Sequence, residues 1–333
     1  MQVALADPEF GYYVGHEPLG QDFITAPEVS QIFGELIGVF FVQAWDNRGR
    51  PERFHLVELG PGRGTLMADL LRAAKIRPDF IRAANIHLIE ISPRLRDVQE
   101  KTLHDTSIAW RTHLDEVPAD APLFLVANEF FDALPVRQFV RLRNRWHERM
   151  VSANGGDLVF AANPAAMPDS EIPAALRNAP EEAVFETCAA ARALAHEIGR
   201  RTAHNGGAAL IIDYGYYDAK PGDTFQAIKA HRHVDPLAEP GETDLTCHVD
   251  LAALARAAGE AGARVFGPVT QAEFLDSLGI KVRARRLKAA AEHHAFEIDT
   301  AVARLVSEGQ MGKLFKVLAL APADTVELPG FPC

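Results

Sequence analysis

The chain has 333 residues, which exceeds one typical domain of ~100 to 200 residues, although a large α/β fold with insertions could absorb the whole length. Because 48% of the residues are hydrophobic and 24% are charged, the composition excludes a disordered chain, and we expect one elaborated domain with a sizeable core. The net charge of −11, from 34 Lys and Arg against 45 Asp and Glu, disfavours nucleic acid and anionic lipid as partners.

The cysteines and the N-terminal region bear on the compartment. Cys188, Cys247 and Cys333 are too far apart in sequence for a CxxC metal site or a disulfide framework, which indicates a reducing environment. The sequence has no run of about 18 apolar residues and no signal peptide near Met1, so we expect no membrane insertion. The predicted location is the cytoplasm, or the mitochondrial matrix if a presequence precedes Met1. The sequence does not determine the oligomeric state.

Short strands alternate with helices along most of the chain. The apolar run at 54–59 ends in glycines, which predicts a buried strand followed by a helix from 65 to about 75. A strand at 86–90 and a helix from 93 to about 103, with Ser92 as its N-cap, repeat this unit. Further strands are predicted at 107–110, 122–127 and 208–213, the last after a helix over 181–201. This alternation predicts an α/β fold with a parallel, doubly wound sheet.

Two later segments depart from this alternation. Residues 136–180 contain three strand-like runs separated by Asn and Gly, a pattern typical of antiparallel hairpins. Residues 220–240 are rich in Pro, Gly, His and Asp and are too long for a passive connector, which predicts an active-site loop. Residues 264–266 and 314–320 are expected to pair as the closing edge of the sheet, with a charged helical segment inserted between them.

The strongest local signal is a glycine turn, Glu58-Leu59-Gly60-Pro61-Gly62-Arg63-Gly64-Thr65, between the first predicted strand and helix. Glycines at a spacing of two permit a ligand to approach the backbone, and the helix N-terminus offers unpaired N–H groups. A P-loop is excluded because no Lys-Ser/Thr pair follows, and a GxGxxG fingerprint would need glycine in place of Thr65. The alternative is a plain tight turn.

Two carboxylates indicate which ligand the turn holds. Glu58 lies two positions before the first glycine, where it would repel a pyrophosphate but attract an ammonium or a sulfonium. Glu90 ends the second predicted strand, where a carboxylate in such sheets accepts both hydroxyls of a ribose. The alternative for Glu90 is an exposed charge at a strand end. A ligand with a ribose and a positive centre but no phosphate is S-adenosylmethionine, which we therefore predict as the cofactor.

Motifs spread over nearly the whole chain carry a family resemblance. They are DPEFGYY at 7–13, QDFITAPEVS at 21–30, FGE at 33–35, the glycine turn, NEFFDALP at 128–135, IDYG at 212–215, GETDLTCHVD at 241–250, TQ at 270–271 and MGKLFK at 311–316. Together they resemble the MidA family of S-adenosylmethionine-dependent methyltransferases, whose mitochondrial members are assembly factors of respiratory complex I. One departure is that the family usually carries a helical segment upstream of the first motif.

The resemblance implies a seven-stranded, Rossmann-like class I methyltransferase sheet with an inserted antiparallel β segment and a helical cap. It divides the chain into an N-terminal lid segment (1–50), a core (51–135 and 207–333) with the cap at about 270–308, and an insertion of β hairpins plus a helix (136–206). It also implies an arginine of a partner protein as the methyl acceptor, with a subunit of a respiratory complex as the candidate partner.

The motif at 128–135 follows the fourth strand, where this superfamily places the residues that face the methyl group and the acceptor. Glu129 and Asp132 could hold the planar fork of a guanidinium. Asp213, at the end of the fifth strand, is expected to point into the same crevice. Asn128 fits better as a cofactor contact. The alternatives are acids that cap the next helix or a loop.

The remaining predictions concern the cofactor, metals and rival functions. The resemblance implies that Thr25 and Pro27 form a lid over the cofactor, whereas the alternative is a plain helix N-terminus with Glu28 near its dipole. The other expected cofactor contacts are Gly60, Pro61, Gly62, Gly64 and Thr65 in the turn, and Ser92. His231, His233 and His248 could be imagined as metal ligands, but the sequence has no close-spaced set of Cys and His, so we predict no metal.

Two other functions stay open. One is an assembly factor that binds S-adenosylmethionine without turnover, and the other is a nicotinamide-dependent enzyme, which Thr65 and Glu58 disfavour.

Overall fold

The computed structural model describes residues 1–15, 24–218 and 221–332. Residues 21–23 of the predicted lid motif, Lys220 at the start of the predicted loop, and Cys333 lie outside the described residues. The strands are β1 (Phe54–Leu59), β2 (Ala84–Ile89), β3 (Ile108–Arg111), β4 (Leu123–Asn128), β5 (Arg137–Leu142), β6 (Arg145–Asn154), β7 (Asp157–Ala166), β8 (Val184–Thr187), β9 (Gly207–Tyr216), β10 (Gln226–Lys229), β11 (Arg232–Val234), β12 (Asp244–Thr246), β13 (Val249–Asp250), β14 (Arg264–Thr270) and β15 (Phe315–Ala321). The helices are α1 (Gln2–Ala6), α2 (Tyr12–Gly15), α3 (Ala26–Val29), α4 (Gln31–Asn47), α5 (Thr65–Ala74), α6 (Pro78–Ala83), α7 (Pro93–Thr102), α8 (Ala189–Asn205), α9 (Leu251–Glu260), α10 (Gln271–Ser277), α11 (Ile280–Ala290), α12 (Ala295–Val306) and α13 (Met311–Leu314).

The main sheet has the strand order β14-β15-β9-β4-β1-β2-β3, and β13 pairs with the end of β9. Strands β3, β2, β1, β4 and β9 run parallel, whereas β15 is antiparallel to both β9 and β14. The predicted doubly wound α/β sheet of seven strands is therefore confirmed, with β13 as an addition. The carboxyl ends of β1, β2, β4 and β9 meet at one edge, which is where such sheets bind ligands.

Helices cover both faces of this sheet because its central strands are apolar throughout. Every residue of β1 is buried, and alternate side chains enter opposite layers: Leu56 packs on the α4 and α5 side, and Val57 on the α8 and α9 side. Helices α4 and α5 lie very close, since a Cβ atom on Gly34 would be 2.6 Å from the Cβ atom of Asp69. This close packing fixes α5, the helix that follows the glycine turn.

The insertion forms a separate antiparallel sheet of order β7-β6-β5-β8 with its own small core around Phe139, Trp146 and Phe185. The helix predicted over 181–201 is wrong at its start: Val184–Thr187 is strand β8, which pairs with β5, and the helix begins at Ala189 with Cys188 as its N-cap. Valine and phenylalanine favour a strand once a partner strand is present. Helix α8 was predicted as part of the insertion at 136–206. In the structure it packs against α9 on the main sheet. The domain division itself stays a prediction.

A further small sheet and a helical cap complete the fold. Residues of the predicted active-site loop form β10 and β11, which join β12 in a small sheet that packs on α1 and α2 through Leu5, Tyr12 and Leu245. The predicted closing pair β14 and β15 is confirmed, and the chain between them is helical, as predicted for the cap.

None of the helices formed by the described residues is long and apolar enough to cross a membrane.

An ion cluster around the buried Glu35 joins the helical cap to helices α4 and α5. Glu35 of α4 accepts hydrogen bonds from Nε and Nη2 of Arg283 in α11 at 2.6 and 2.8 Å, and from Arg72 of α5 at 3.1 Å. Helix α12 of the cap in turn contacts α3, which belongs to the predicted lid. The lid, the cap and the helix after the glycine turn are therefore packed together.

Candidate active site

The glycine turn between β1 and α5 has a backbone that only glycine adopts easily. Gly60, Gly62 and Gly64 have φ values of +60°, +53° and +79°, in the left-handed region. A Cβ atom on Gly60 would also lie 2.8 Å from Cδ2 of Phe130, which follows β4. The turn is thus shaped both by its own torsions and by the loop after β4.

Gln99 ties the glycine turn to the end of β2. Its buried amide Nε2 donates to the carbonyl oxygen of Gly62 at 2.8 Å and to Oε2 of Glu90 at 3.1 Å, while Trp110 Nε1 donates to Gln99 Oε1 at 2.9 Å. The predicted N-cap Ser92 is confirmed, and its backbone N–H donates to Glu90 Oε1 at 2.8 Å. These bonds hold the Glu90 carboxylate beside the turn.

Sequence reasoning missed Gln99. It occupies the inward stripe of α7 between Leu95 and Leu103, at a helical spacing of four residues, where an apolar side chain is the rule. A fully buried amide at such a position has to satisfy its donors and acceptor locally. That interruption of the apolar stripe is the signal that could have identified it.

Glu58 is the penultimate residue of β1, an inner strand of the main sheet, and its side chain is almost completely buried. Burial and, to a smaller extent, the charge of Glu90 raise its pKa to about 8, although the backbone N–H of Met67 donates to it. Its Oε2 is buried and has no hydrogen-bond partner in the described part of the chain. A buried carboxylate oxygen that lacks a donor, next to a second carboxylate, is suited to a cationic ligand.

The predicted lid bridges the glycine turn and the loop after β4. Thr25 is the N-cap residue of α3, and Pro27 is buried in that helix. Thr65 Oγ1 donates to Glu28 at 2.6 Å, and the backbone N–H of Ala26 donates to Oε1 of Glu129 at 2.9 Å. The structure therefore brings α3 to the site, while direct contact of Thr25 and Pro27 with a cofactor stays a prediction.

Glu129 has a strained backbone and a raised pKa. Its φ is +51°, an uncommon value for a residue other than glycine, and such strain concentrates at functional sites. Burial, with a smaller contribution from the charge of Asp132, raises its pKa to about 8 against the lowering effect of the Ala26 N–H. Asn128 Nδ2 donates to Glu129 Oε1 at 3.1 Å, and the buried Oδ1 of Asn128 has no partner among the described residues.

Asp213 holds the loop that carries Glu129 and Asp132. It is fully buried, and its Oδ2 accepts from the backbone N–H groups of Phe130, Phe131 and Asp132 at 3.2, 2.9 and 3.3 Å. This geometry matches the loop-capping alternative for Asp213. Burial, followed by the charges of Asp132 and Glu129, raises the pKa of Asp213 well above its usual range.

Asp132 and its neighbours complete an acidic cluster. Burial raises the pKa of Asp132 to about 6, while the Tyr214 hydroxyl donates to its carboxylate. The cluster also contains Asp244, which accepts from the buried Tyr13 hydroxyl at 2.8 Å. Because burial and the charges of Asp244 and Asp132 raise the pKa of Tyr13, its phenol stays protonated and donates to the carboxylate.

Sequence reasoning did not assign Tyr13 or Asp244 to the site, although both lie in motifs that carry the family resemblance.

Two histidines of the metal site that the sequence disfavours lie in different surroundings. His233 lies in the exposed strand β11, and the His248 ring packs edge-on against Tyr214 with ring centroids 5.4 Å apart. Within residues 1–15, 24–218 and 221–332, no group of three or more His, Cys, Asp and Glu side chains is arranged to hold a metal ion.

The sheet order, the glycine turn after β1 and the carboxylate after β2 define a class I methyltransferase. A family model described as "Putative S-adenosyl-L-methionine-dependent methyltransferase" matches residues 36–269. The human "Protein arginine methyltransferase NDUFAF7, mitochondrial" is 35% identical over 358 residues, covering 98% of this chain and 80% of the relative. Its Danio rerio counterpart is 38% identical over 315 residues, covering 86% of this chain and 74% of the relative. The chain belongs to this family of S-adenosylmethionine-dependent methyltransferases, and the resemblance seen in the motifs is confirmed.

Solved structures support the same assignment. A Burkholderia thailandensis protein crystallised with S-adenosyl-homocysteine has a TM-score of 0.87 and 32% identity, covering 99% of this chain and 88% of that one. The residues present here are compatible with the family's cofactor. The glycine turn leaves room for a ligand close to its backbone, and the Glu90 carboxylate beside it is a suitable acceptor for ribose hydroxyls. Glu58 has a buried oxygen without a donor in the described part of the chain, which suits a cationic group.

Proposed function

We propose that this methyltransferase methylates a nitrogen of an arginine side chain in a partner protein. The observation that carries the proposal is the acidic cluster of Glu129, Asp132, Asp213 and Asp244. Burial raises the pKa values of Glu129, Asp132 and Asp213, and the charges of neighbouring carboxylates add to this for Glu129 and Asp213. None of these three forms an ion pair with Lys or Arg in the described part of the chain. A guanidinium would relieve this repulsion, and its planar fork matches paired carboxylates.

S-adenosylmethionine supplies an electrophilic methyl group when it is bound. Methyl transfer is an in-line displacement, so the protein has mainly to align the acceptor nitrogen and exclude water. Glu129 and Asp132 would orient the guanidinium. Because the pKa of Glu129 is about 8, its carboxylate is also suited to take the proton that the acceptor nitrogen loses near neutral pH. Asp213 acts through the loop that it holds and is therefore a positioning residue.

The cofactor contacts complete this proposal. Gly60, Pro61, Gly62, Gly64 and Thr65 would cradle the ligand, with Glu90 on the ribose. In addition, Glu58 would face the positive end of the cofactor, Asn128 would contact it from the end of β4, and Thr25, Pro27 and Ser92 would close the pocket. The proximity of α3 to both Thr65 and Glu129 supports the lid role.

The names of the relatives support a protein acceptor, because they read "Protein arginine methyltransferase". The same names read "mitochondrial", which does not support the predicted cytoplasmic location and favours the alternative, the matrix. We further propose that the partner protein is a subunit of a respiratory complex. Fractionation of the source cells would locate the protein.

The test uses tritiated S-adenosylmethionine and extract from cells that lack this protein. Glu129→Gln preserves the shape of the side chain but cannot become a carboxylate when a guanidinium binds. We therefore expect transfer to fall by at least about 100-fold, while affinity for S-adenosyl-homocysteine changes by less than about threefold. Glu171→Gln, at an exposed position of the insertion, is the matched control. Amino-acid analysis of the labelled protein should show methylarginine.

Two outcomes would contradict this proposal. Transfer near the wild-type rate by both Glu129→Gln and Asp132→Asn would remove these carboxylates from the mechanism. Cofactor binding without any transfer by the wild-type protein would favour the alternative function, a non-catalytic assembly factor.

A further inference from the structure

A cavity that the steps above do not use lies between the antiparallel sheet of the insertion and helices α8 and α9. Its volume is about 150 Å³, and no residue of the glycine turn lines it. Val136, Leu176 and Phe185 line it from the insertion, and Phe131 and Leu254 line it from the core. An apolar cavity of ~150 Å³ accommodates a benzene-sized group. The cavity is therefore large enough for one aromatic or branched side chain.

The cavity adjoins the acidic cluster. Phe131, which lines the cavity, directly precedes Asp132 in the chain. The backbone N–H of Cys247, another lining residue, donates to the carbonyl oxygen of Asp132 at 3.0 Å. The lining residue His248 packs against Tyr214, whose hydroxyl donates to Asp132. A peptide that places an arginine on Asp132 would therefore have a neighbouring residue near this cavity.

The cavity also has a basic border on a chain whose net charge is −11. Arg192 of α8 and Arg256 of α9 line it and are exposed, and neither guanidinium forms an ion pair in the described part of the chain. The two acids in the lining are engaged locally: Glu186 accepts from Gln138 at 2.7 Å, and Asp250 caps α9 by accepting from the backbone N–H of Ala253 at 2.9 Å. Both carboxylates keep their negative charge but are bound to these local donors, whereas the two exposed guanidinium groups are available to acidic residues of a partner.

We infer that this cavity is a specificity subsite for the protein substrate. It receives an apolar, preferably aromatic, side chain that lies close in sequence to the methylated arginine, and Arg192 and Arg256 bind acidic residues beside that side chain. The inference rests on the proposed function, since it adds a second anchor to the same substrate. Substrate arginines in neutral or basic surroundings would then be poor acceptors.

The test uses synthetic peptides that each contain one arginine, with the flanking positions occupied in turn by glycine alone, by phenylalanine, or by phenylalanine next to aspartate. For the wild-type enzyme we expect kcat/KM for the best peptide with phenylalanine and aspartate to exceed that for the glycine peptide by at least about tenfold. Ala253→Phe fills the cavity from α9 and should reduce this ratio to about one. The double variant Arg192→Glu/Arg256→Glu should remove the advantage given by aspartate.

A double variant of the helical cap, Arg285→Glu/Arg286→Glu, changes two exposed arginines and the net charge by the same amount, so it is the matched control and should keep the wild-type ratio. Equal methylation of all peptides by the wild-type enzyme, or an unchanged ratio in both cavity variants, would overturn the subsite and leave the proposed function intact. Absence of methylation of every peptide, including the glycine peptide, would instead count against an arginine acceptor.

Discussion

The proposed active site has two halves, one for the cofactor and one for the acceptor, and they are built from different parts of the chain. The cofactor half, residues 58–65 and 90–99, consists of two nearby segments that Gln99 joins through Gly62 and Glu90. The acceptor half, by contrast, is the acidic cluster with Tyr13 and Tyr214, and its Tyr13 to Asp244 bond joins residues 231 positions apart. Backbone torsions shape the first half, whereas charge and long-range packing shape the second. Substitutions should therefore impair binding in one half and catalysis in the other.

The largest effect in the cofactor half is expected for Gly62→Val, because a branched side chain at φ +53° would strain the turn and occupy the approach path of the ligand. Calorimetry should show that binding of S-adenosyl-homocysteine is abolished. Gly155→Val, in an exposed hairpin with φ +60° and no atoms within 4 Å of the added Cβ, imposes similar backbone strain far from the site. A Gly62→Val affinity within about threefold of wild type would contradict the role of the turn.

A smaller loss is expected for Glu90→Ala, which would remove charge-assisted bonds to the ribose at a cost of roughly 1.5 to 3 kcal/mol of binding free energy. The same change leaves the Ser92 N–H without its acceptor and removes one of the two acceptors of Gln99 Nε2, so the melting temperature should also fall. A 2′-deoxy analogue separates these effects, because it should lose less affinity to the mutation than the parent does. Equal losses would show that Glu90 does not bind the ribose.

In the acceptor half, Tyr13→Phe removes the hydroxyl that donates to Asp244 and should raise KM for the protein acceptor by about fivefold, since one hydrogen bond contributes roughly 1 kcal/mol. Affinity for S-adenosyl-homocysteine should not change. Tyr217→Phe, at a tyrosine that is 44% exposed, is the control. A Tyr13→Phe effect on cofactor affinity instead of KM would show that the two halves are coupled.

The smallest effect concerns pH. The pKa values of Glu58 and Glu129 are about 8 in the folded protein, so both carboxyls keep protons that the unfolded chain has released above about pH 4.3. The free energy of unfolding should therefore fall as pH rises from about 5 to about 8. Calorimetry of the ligand-free protein should show this decline in melting temperature, and Glu129→Gln should make it shallower by ~2 to 4 °C over the range. A steeper decline in Glu129→Gln would contradict the assignment.

Much of the fold could be predicted because the parallel strands are short, buried and bounded by glycine or polar residues. The predicted strands at 54–59 and 122–127 agree with β1 and β4 to within one residue at each end. Strand β8 was predicted as helix because an alanine-rich run follows it, and only its pairing with β5 makes Val184–Thr187 extended. Strands β10 and β11 were missed for the same reason, since their partners are set by tertiary structure.

The two halves of the site were also unequally predictable. The proposed roles of Glu58 and Glu90 rest on their spacing to the glycines and to the strand end, which are local properties. Glu129 and Asp132 depended on the family resemblance, because nothing local distinguishes a capping acid from one that faces an acceptor. The three backbone bonds to Asp213 and the contact between Tyr13 and Asp244 depend on how distant segments pack, so spacing alone cannot reveal them.

The position of β15 has a consequence for synthesis of the protein. This strand, at residues 315–321, follows all the other strands formed by the described residues but lies inside the sheet, between β9 and β14. Until the ribosome has released it, β9 presents an open edge and β14 has no partner in the sheet. Because Asp213 lies on β9 opposite Lys316, the loop that it holds is also unsupported on that side. A nascent chain stalled before β15 would thus expose the unpaired edge of β9, which is prone to pair with other chains until β15 emerges.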